Sequence, residues 1–386
     1  MPDRRVLIAR RRRNLLLAAL AAFVTGIVVG AVSDRGGGKR PGAVARDELG
    51  APGAGDRTPV DRLILRQQVG QLIVLRFAGT TPPAYVLDAL RERRAAGVIL
   101  FRDNVTAPDQ LRALTRRLRG AGGRPLVAVD QEGGEIRIVP WAPPVASAPQ
   151  QARAGSAGSD AEAAASALRA AGITVSLAPV GDVPPSAAGA ALGGRAFSDD
   201  PEAASAAMTA AVNGWRAGGV AATAKHFPGL GGATVNTDDA PATVTRSRAE
   251  LEATDLPPFA AAIRAGVPLV MVGHARYPAL DPDRIASQSS AIVERLLRVR
   301  LGFRGVVVTD SMEARASIAT GAITTVSERA VRAGADLLLL TGQGSYAPVY
   351  EHLLELARRS PPFRARVRES AARVLALKAG GARAPR

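Results

Sequence analysis

A chain of 386 residues with 47% apolar content can bury a sizeable core as one large domain or two ordinary ones, which excludes an intrinsically disordered protein. It contains no cysteine, so disulfides, thiolate metal sites and a lipid-modified N-terminal cysteine are excluded. The formal charge of +16 is carried mostly by arginines scattered among acids, and no basic run is interleaved with aromatics, so no nucleic-acid groove is indicated.

The first element is an N-terminal segment, 1–32. Arg10 to Arg13 precede an uncharged run, Leu15 to Val32, whose 18 residues reach the lower limit for spanning hydrocarbon as a helix. They exceed the apolar core usual in a cleaved signal, and the arginine flank should stay in the cytoplasm and export the rest of the chain. The expectation is a single-pass anchor in the cytoplasmic membrane with an extracytoplasmic domain. A signal cleaved near Ala31-Val32-Ser33 and a buried core helix are the alternatives. Residues 33–59, rich in Gly, Pro and charge without apolar periodicity, read as a flexible linker.

From Val60 to about residue 380 one theme repeats: a short β-branched or apolar run, then a longer amphipathic segment. The strand candidates are Gln71–Phe77, Val98–Phe101, Leu126–Asp130, Thr174–Ala178, Val220–Lys225, Leu269–His274, Val306–Asp310 and Asp336–Thr341. Their near-continuous hydrophobicity fits parallel strands covered by helices. Asp200-Pro201-Glu202 reads as a helix start, with Gly218-Gly219 as its stop. Ser327 to Ala333 runs into Gly334, and a helix over Ala89 to Ala96 is expected to stop at Gly97. Eight such units predict an α/β fold, a single (β/α)8 TIM-type barrel. No GxGxxG comes after the first strand, which argues against a dinucleotide-binding sheet.

In such a barrel the chemistry sits at the C-terminal strand ends. Here those ends carry Asp130-Gln131-Glu132, Asp182, Lys225-His226, His274-Ala275-Arg276 and Asp310-Ser311. Singly, each reads as a cap or a satisfied polar group; five ends converging on one face point to a binding site. No feature demands a cofactor, since there is no P-loop, HExxH or ligand cluster of metal spacing. His226 and His274 sharing a metal with Asp130 or Asp310 is a rival reading. Opposed carboxyl groups with Lys, Arg and His suit a polyhydroxylated substrate and acetal hydrolysis.

At these residues the chain resembles the N-terminal barrel domain of glycoside hydrolase family 3, and within it the single-domain bacterial β-N-acetylglucosaminidases. The likeness spans about Gln67 to Leu377. It rests on Gly97-Val98-Ile99-Leu100-Phe101, Val129-Asp130-Gln131-Glu132-Gly133-Gly134, Ala178-Pro179-Val180-Gly181-Asp182-Val183, Gly194-Arg195-Ala196-Phe197, Lys225-His226-Phe227-Pro228-Gly229, Met271-Val272-Gly273-His274 and Leu301 through Asp310. The resemblance implies a retaining exo-acting β-glycosidase, β-N-acetylhexosaminidase-like, acting on terminal β-linked sugars of cell-wall or other oligosaccharides. It implies Asp310 as nucleophile, with Asp130, Arg195, Lys225 and His226 holding the terminal sugar's hydroxyls and His274 lining the same pocket.

The chain departs from the family pattern in two places. Where the N-acetylglucosaminidase branch carries Asp-Ser-His, whose Asp–His pair supplies the acid/base, this chain reads Asn236-Thr237-Asp238. The Gly-His-Gly just upstream is Gly229-Leu230-Gly231. Asp238, or its neighbour Asp239, is then the candidate acid/base; the alternatives are substrates that need little acid assistance and a silent, membrane-tethered sugar-binding or wall-sensing barrel. Glu135 also stands where the family commonly has Arg, a change at the rim that bears on which sugar fits.

Overall fold

The structure, a computed structural model, describes residues 58–185 and 191–380. The expected membrane segment Leu15–Val32 and nearly all of the linker lie outside the described residues. Among the described residues, no helix is long and apolar enough to cross a membrane.

Eight parallel strands close into a barrel: β1 (Ile73–Arg76), β2 (Gly97–Ile99), β3 (Leu126–Val129), β4 (Val175–Ser176), β5 (Ala221–Phe227), β6 (Leu269–Val272), β7 (Val306–Ser311) and β8 (Leu337–Leu340). Each pairs with its sequence neighbour, and β1 closes the ring on β8. Every expected strand lies on one of these. The runs are apolar on both faces because both faces are buried: Val74, Ile99, Met271, Val308 and Leu339 fill the barrel interior. Their neighbours Ile73, Val98, Val270, Val307 and Leu338 pack against the outer helices. Val374 and Leu377 of the last helix join the interior cluster.

The outer layer comprises α1 (Ala84–Arg91), α2 (Pro108–Gly120), α3 (Ala157–Ala170), α4 (Pro201–Gly218), α5 (Leu256–Arg264), α6 (Ala291–Arg300, wound with the wider π-type turn), α7 (Ile323–Ala333), α8 (Tyr346–Arg359) and α9 (Pro361–Gly380). The start of α4 is as its sequence requires: the Asp200 carboxylate accepts from the amides of Glu202 at 2.7 Å and Ala203 at 3.2 Å. Small residues bring α3 and α4 close together. A Cβ on Gly214 would stand 2.0 Å from the Gly158 carbonyl, and one on Gly218 would stand 2.4 Å from Ala165 Cβ. This close contact gives the alanine-rich composition of both helices a packing role.

One expected boundary needs correction. The helix placed over Ala89 to Ala96 ends at Arg91, and Gly97 begins β2 instead of stopping a helix. Gly97 is required there by proximity, since a Cβ would lie 2.1 Å from the Leu126 carbonyl of the adjacent strand.

Candidate active site

A cavity of about 430 Å³ opens at the C-terminal ends of the strands. Its wall takes Arg76 from β1, Asp130 and Glu132 after β3, Lys225 and His226 from β5 and Asp310 from β7. Arg195 and the loop residues Asn236 and Asp238 complete the polar lining. The structure therefore brings together six of the seven expected residues: Asp130, Arg195, Lys225, His226, Asp238 and Asp310.

The floor of the site is an ion-pair lattice. Lys225 Nζ lies 2.6 Å from Asp130 Oδ1 and 2.7 Å from Glu132 Oε1. Arg195 meets Glu132 in a bidentate pair, with Nε and Nη2 each donating at 2.8 Å. Burial opposes the charge on Glu132, but Lys225 and Arg195 outweigh it and hold the carboxyl at about 2. Burial likewise opposes the Lys225 ammonium, yet Asp130 and Glu132 raise its pKa above the ordinary value. The lattice thus sets charged donors and acceptors in fixed positions at the bottom of the cavity.

His226 is held from behind. Its Nδ1 is 2.7 Å from Asp182 Oδ2, and Asp182 Oδ1 accepts from the amides of His226 at 3.1 Å and Leu230 at 2.7 Å. With Nδ1 engaged, Nε2 is the ring atom left for a ligand. Asp182 and Glu132 stood among the polar strand-end residues but had been given no role of their own. Each carried a signal: a carboxylate embedded in the apolar run Pro179 to Val183, and one two positions after Asp130.

Asp310 is the penultimate residue of β7 and accepts from the Ser311 amide at 2.7 Å. Burial would raise its pKa, but the fields of His226 and His274, the Ser311 amide and Lys225 outweigh that and set it below the ordinary value. Asp238 moves the other way. Partial burial at the mouth and the Asp310 charge push it up to about 6, against opposing pulls from His226 and Arg195. Asp238 keeps an exposed surface, so solvent tempers the energy of that shift.

The glycine-rich loop after β5 brings Asp238 here. Gly229 adopts φ +127°, and a Cβ on Gly231 would stand 2.0 Å from the Val183 carbonyl. Tyr277 Oη donates to the Gly229 carbonyl at 2.8 Å, and the Ala316 amide donates to Thr237 at 3.0 Å. Held at both ends, the loop turns Asn236 and Asp238 toward the cavity. Asp239 is exposed and does not line the cavity. Glu135 is exposed too, contributing its carbonyl to Arg102 at 2.8 Å.

His274 is the expected ligand contact that the structure places elsewhere. It is fully buried and absent from the cavity wall, with Nδ1 2.8 Å from Ser287 Oγ and Nε2 2.8 Å from the Ser311 carbonyl. Burial lowers its pKa, and the ring fixes the backbone beside Asp310. Both its nitrogens are engaged, which removes the shared His226–His274 metal reading. Among the described residues, no group of three or more His, Asp and Glu could hold a metal.

A closed (β/α)8 barrel whose C-terminal mouth gathers two carboxyls of opposite pKa shift above a lattice of charged side chains is the arrangement found in barrel hydrolases that act on sugars. The profile of the glycosyl hydrolase family 3 N terminal domain matches residues 64–377, and the chain belongs to that family and is a glycoside hydrolase. A beta-hexosaminidase of Stenotrophomonas maltophilia is 38% identical over 281 residues, covering 70% of this chain and 83% of that protein. The crystal structure of a beta-N-acetylhexosaminidase from Beutenbergia cavernae superposes with a TM-score of 0.77 at 35% identity, covering 82% of this chain and 99% of that one. A family 3 beta-N-acetylglucosaminidase from Paenibacillus sp. gives the same TM-score at 33% identity over 82% of this chain, which spans only 62% of that longer protein.

Proposed function

We propose that the protein is a retaining, exo-acting β-N-acetylhexosaminidase-like enzyme with Asp310 as nucleophile and Asp238 as acid/base. The observation that carries this reading is the pair of carboxyls pushed in opposite directions within one cavity, Asp310 below its ordinary value and Asp238 up to about 6. At near-neutral pH one is a carboxylate and the other keeps a usable fraction of its proton, as two-step acetal hydrolysis needs.

In the first step a carboxylate oxygen of Asp310 attacks the anomeric carbon as the glycosidic C–O bond breaks. Asp238 passes its proton to the leaving oxygen, giving a glycosyl ester on Asp310 and a free alcohol. In the second step the Asp238 carboxylate takes a proton from water, whose oxygen attacks the same carbon. The C–O bond to Asp310 breaks, releasing the sugar and restoring both side chains. Asp130, Arg195, Lys225 and His226 hold the sugar's hydroxyls, with contacts that strengthen as the ring flattens toward the oxocarbenium-like transition state. The relatives' names and the lattice around Lys225 support a terminal N-acetylated β-linked sugar, on wall fragments or other oligosaccharides. Arg10 to Arg13 before Leu15 to Val32 support a barrel held outside the cytoplasm by its N-terminal segment.

The test is hydrolysis of 4-nitrophenyl β-glycosides of N-acetylglucosamine and glucose by the full chain in detergent, beside Asp310→Asn. Turnover with the N-acetylated sugar that is lost in the variant is expected, with release of the β-anomer seen by proton NMR. Release of the α-anomer would overturn the retaining mechanism. Sugar binding without turnover of any glycoside would overturn the assignment of this site as catalytic.

A further inference from the structure

The more spacious hollow in the molecule lies at the other end of the barrel. It measures about 700 Å³ and opens where β3, β4 and β5 begin. Leu126 and Leu377 contribute apolar surface to it. Four cations line it: Arg116 and Arg119 one turn apart on α2, Arg124 in the loop between α2 and β3, and Lys378 near the end of α9. No carboxylate lines it, and none of the four makes an ion pair among the described residues.

Arginines at a helix C-terminus ordinarily complement the helix dipole, and that accounts for Arg119. Lys378 likewise stands in the last turn of its helix, where its Nζ donates to Gln71 Oε1 at 2.7 Å and pairs with no acid among the described residues. Burial and the nearby Arg93 charge push its ammonium down to about 7. Arg124 also occupies the left-handed region, with φ 49°. The three arginines are exposed and, with Lys378, surround an apolar-floored hollow without an acid partner among the described residues, so an anion entering it would meet several donors at once.

We infer that this hollow is a second binding site, distinct from the sugar cavity, for a phosphate-bearing ligand. Arg116, Arg119, Arg124 and Lys378 meet its phosphate, and its carbon body rests on Leu126 and Leu377. The phosphate comes from either a soluble phosphate ester or a lipid headgroup.

The full chain would be titrated calorimetrically with inorganic pyrophosphate and, separately, with dihexanoylphosphatidylglycerol below its micellar concentration. In parallel, acetylation by a water-soluble succinimidyl ester would be read at Lys378, one of three lysines in the chain. Saturable one-to-one binding of at least one ligand is expected, with Lys378 protected from acetylation. Binding should weaken by about tenfold or more in Lys378→Met and in Arg119→Ser/Arg124→Ser. Glycoside hydrolysis should be unchanged in both variants, which also reports that they fold. Pyrophosphate binding alone identifies a soluble ester; lipid binding alone identifies a headgroup. No saturable binding of either ligand, binding unaltered by the substitutions, or binding that leaves Lys378 unprotected would overturn the inference.

Discussion

Replacing Asp238 with Asn removes the cavity carboxyl whose pKa lies closest to neutrality while keeping its shape. Its elevation to about 6 comes first from partial burial and then from the Asp310 charge. A general acid acts only when protonated. In the wild type, kcat/KM should therefore decline as pH rises through about 6, approaching tenfold per unit well above it. The acid limb, set by ionisation of Asp310, should lie below the ordinary aspartate value. In Asp238→Asn the alkaline limb should vanish. For a leaving group that needs its proton, such as the alcohol of N,N′-diacetylchitobiose, the rate should drop by about 10²–10⁴. That corresponds to about 3–5 kcal/mol of transition-state stabilisation. With a 2,4-dinitrophenyl glycoside, whose phenolate leaves unaided, the rate of forming the glycosyl-enzyme should fall by less than about tenfold. Stopped-flow bursts on the aryl substrate and pH–rate profiles on both substrates separate these effects. An alkaline limb that persists in the variant, or equal losses on the two substrates, would refute the reasoning.

The same geometry has other consequences. Lys225→Met strips the shared cation from Asp130 and Glu132; it should destabilise the fold by about 3–5 kcal/mol in urea titrations and lower kcat/KM by at least about a hundredfold. Glu132 is held at about 2 against an ordinary 4.5, so its stabilisation is fully present above pH 4.5 and is lost as pH falls toward 2. Acid unfolding of the wild type should show a decline of about 3 kcal/mol across that window, and Glu132→Gln should lack it. Gly231→Ala pushes a Cβ to 2.0 Å from the Val183 carbonyl. It should displace the loop that presents Asp238, costing about 1–3 kcal/mol in thermal unfolding and more in kcat than in KM. His274→Gln should leave KM for the aryl glycoside nearly unchanged while reducing stability, because the ring braces Ser311 and does not touch the cavity.

The sequence by itself determined the barrel and most of the site. Its strands are apolar on both faces because they are buried on both faces. Eight such runs, each with an amphipathic segment after it, leave few other arrangements. Polar residues at the ends of those runs, Asp130, Lys225-His226 and Asp310, all fall at one end of such a barrel. The tertiary structure decided what strand periodicity does not encode. A residue just beyond a strand end can face the cavity or turn into the wall. His274 turns into the wall because Ser287 Oγ and the Ser311 carbonyl take both its nitrogens. Asp238 and Asp239 are adjacent in sequence, and only the tethered path of the loop from Gly229 to Thr237 selects the first. Glu132 and Asp182 act through partners distant in the chain, Lys225, Arg195 and His226. Those pairings became visible only when folding brought the charges within hydrogen-bond distance. The uncompensated cations around Lys378 come from segments more than 250 residues apart, so no local pattern could have announced them.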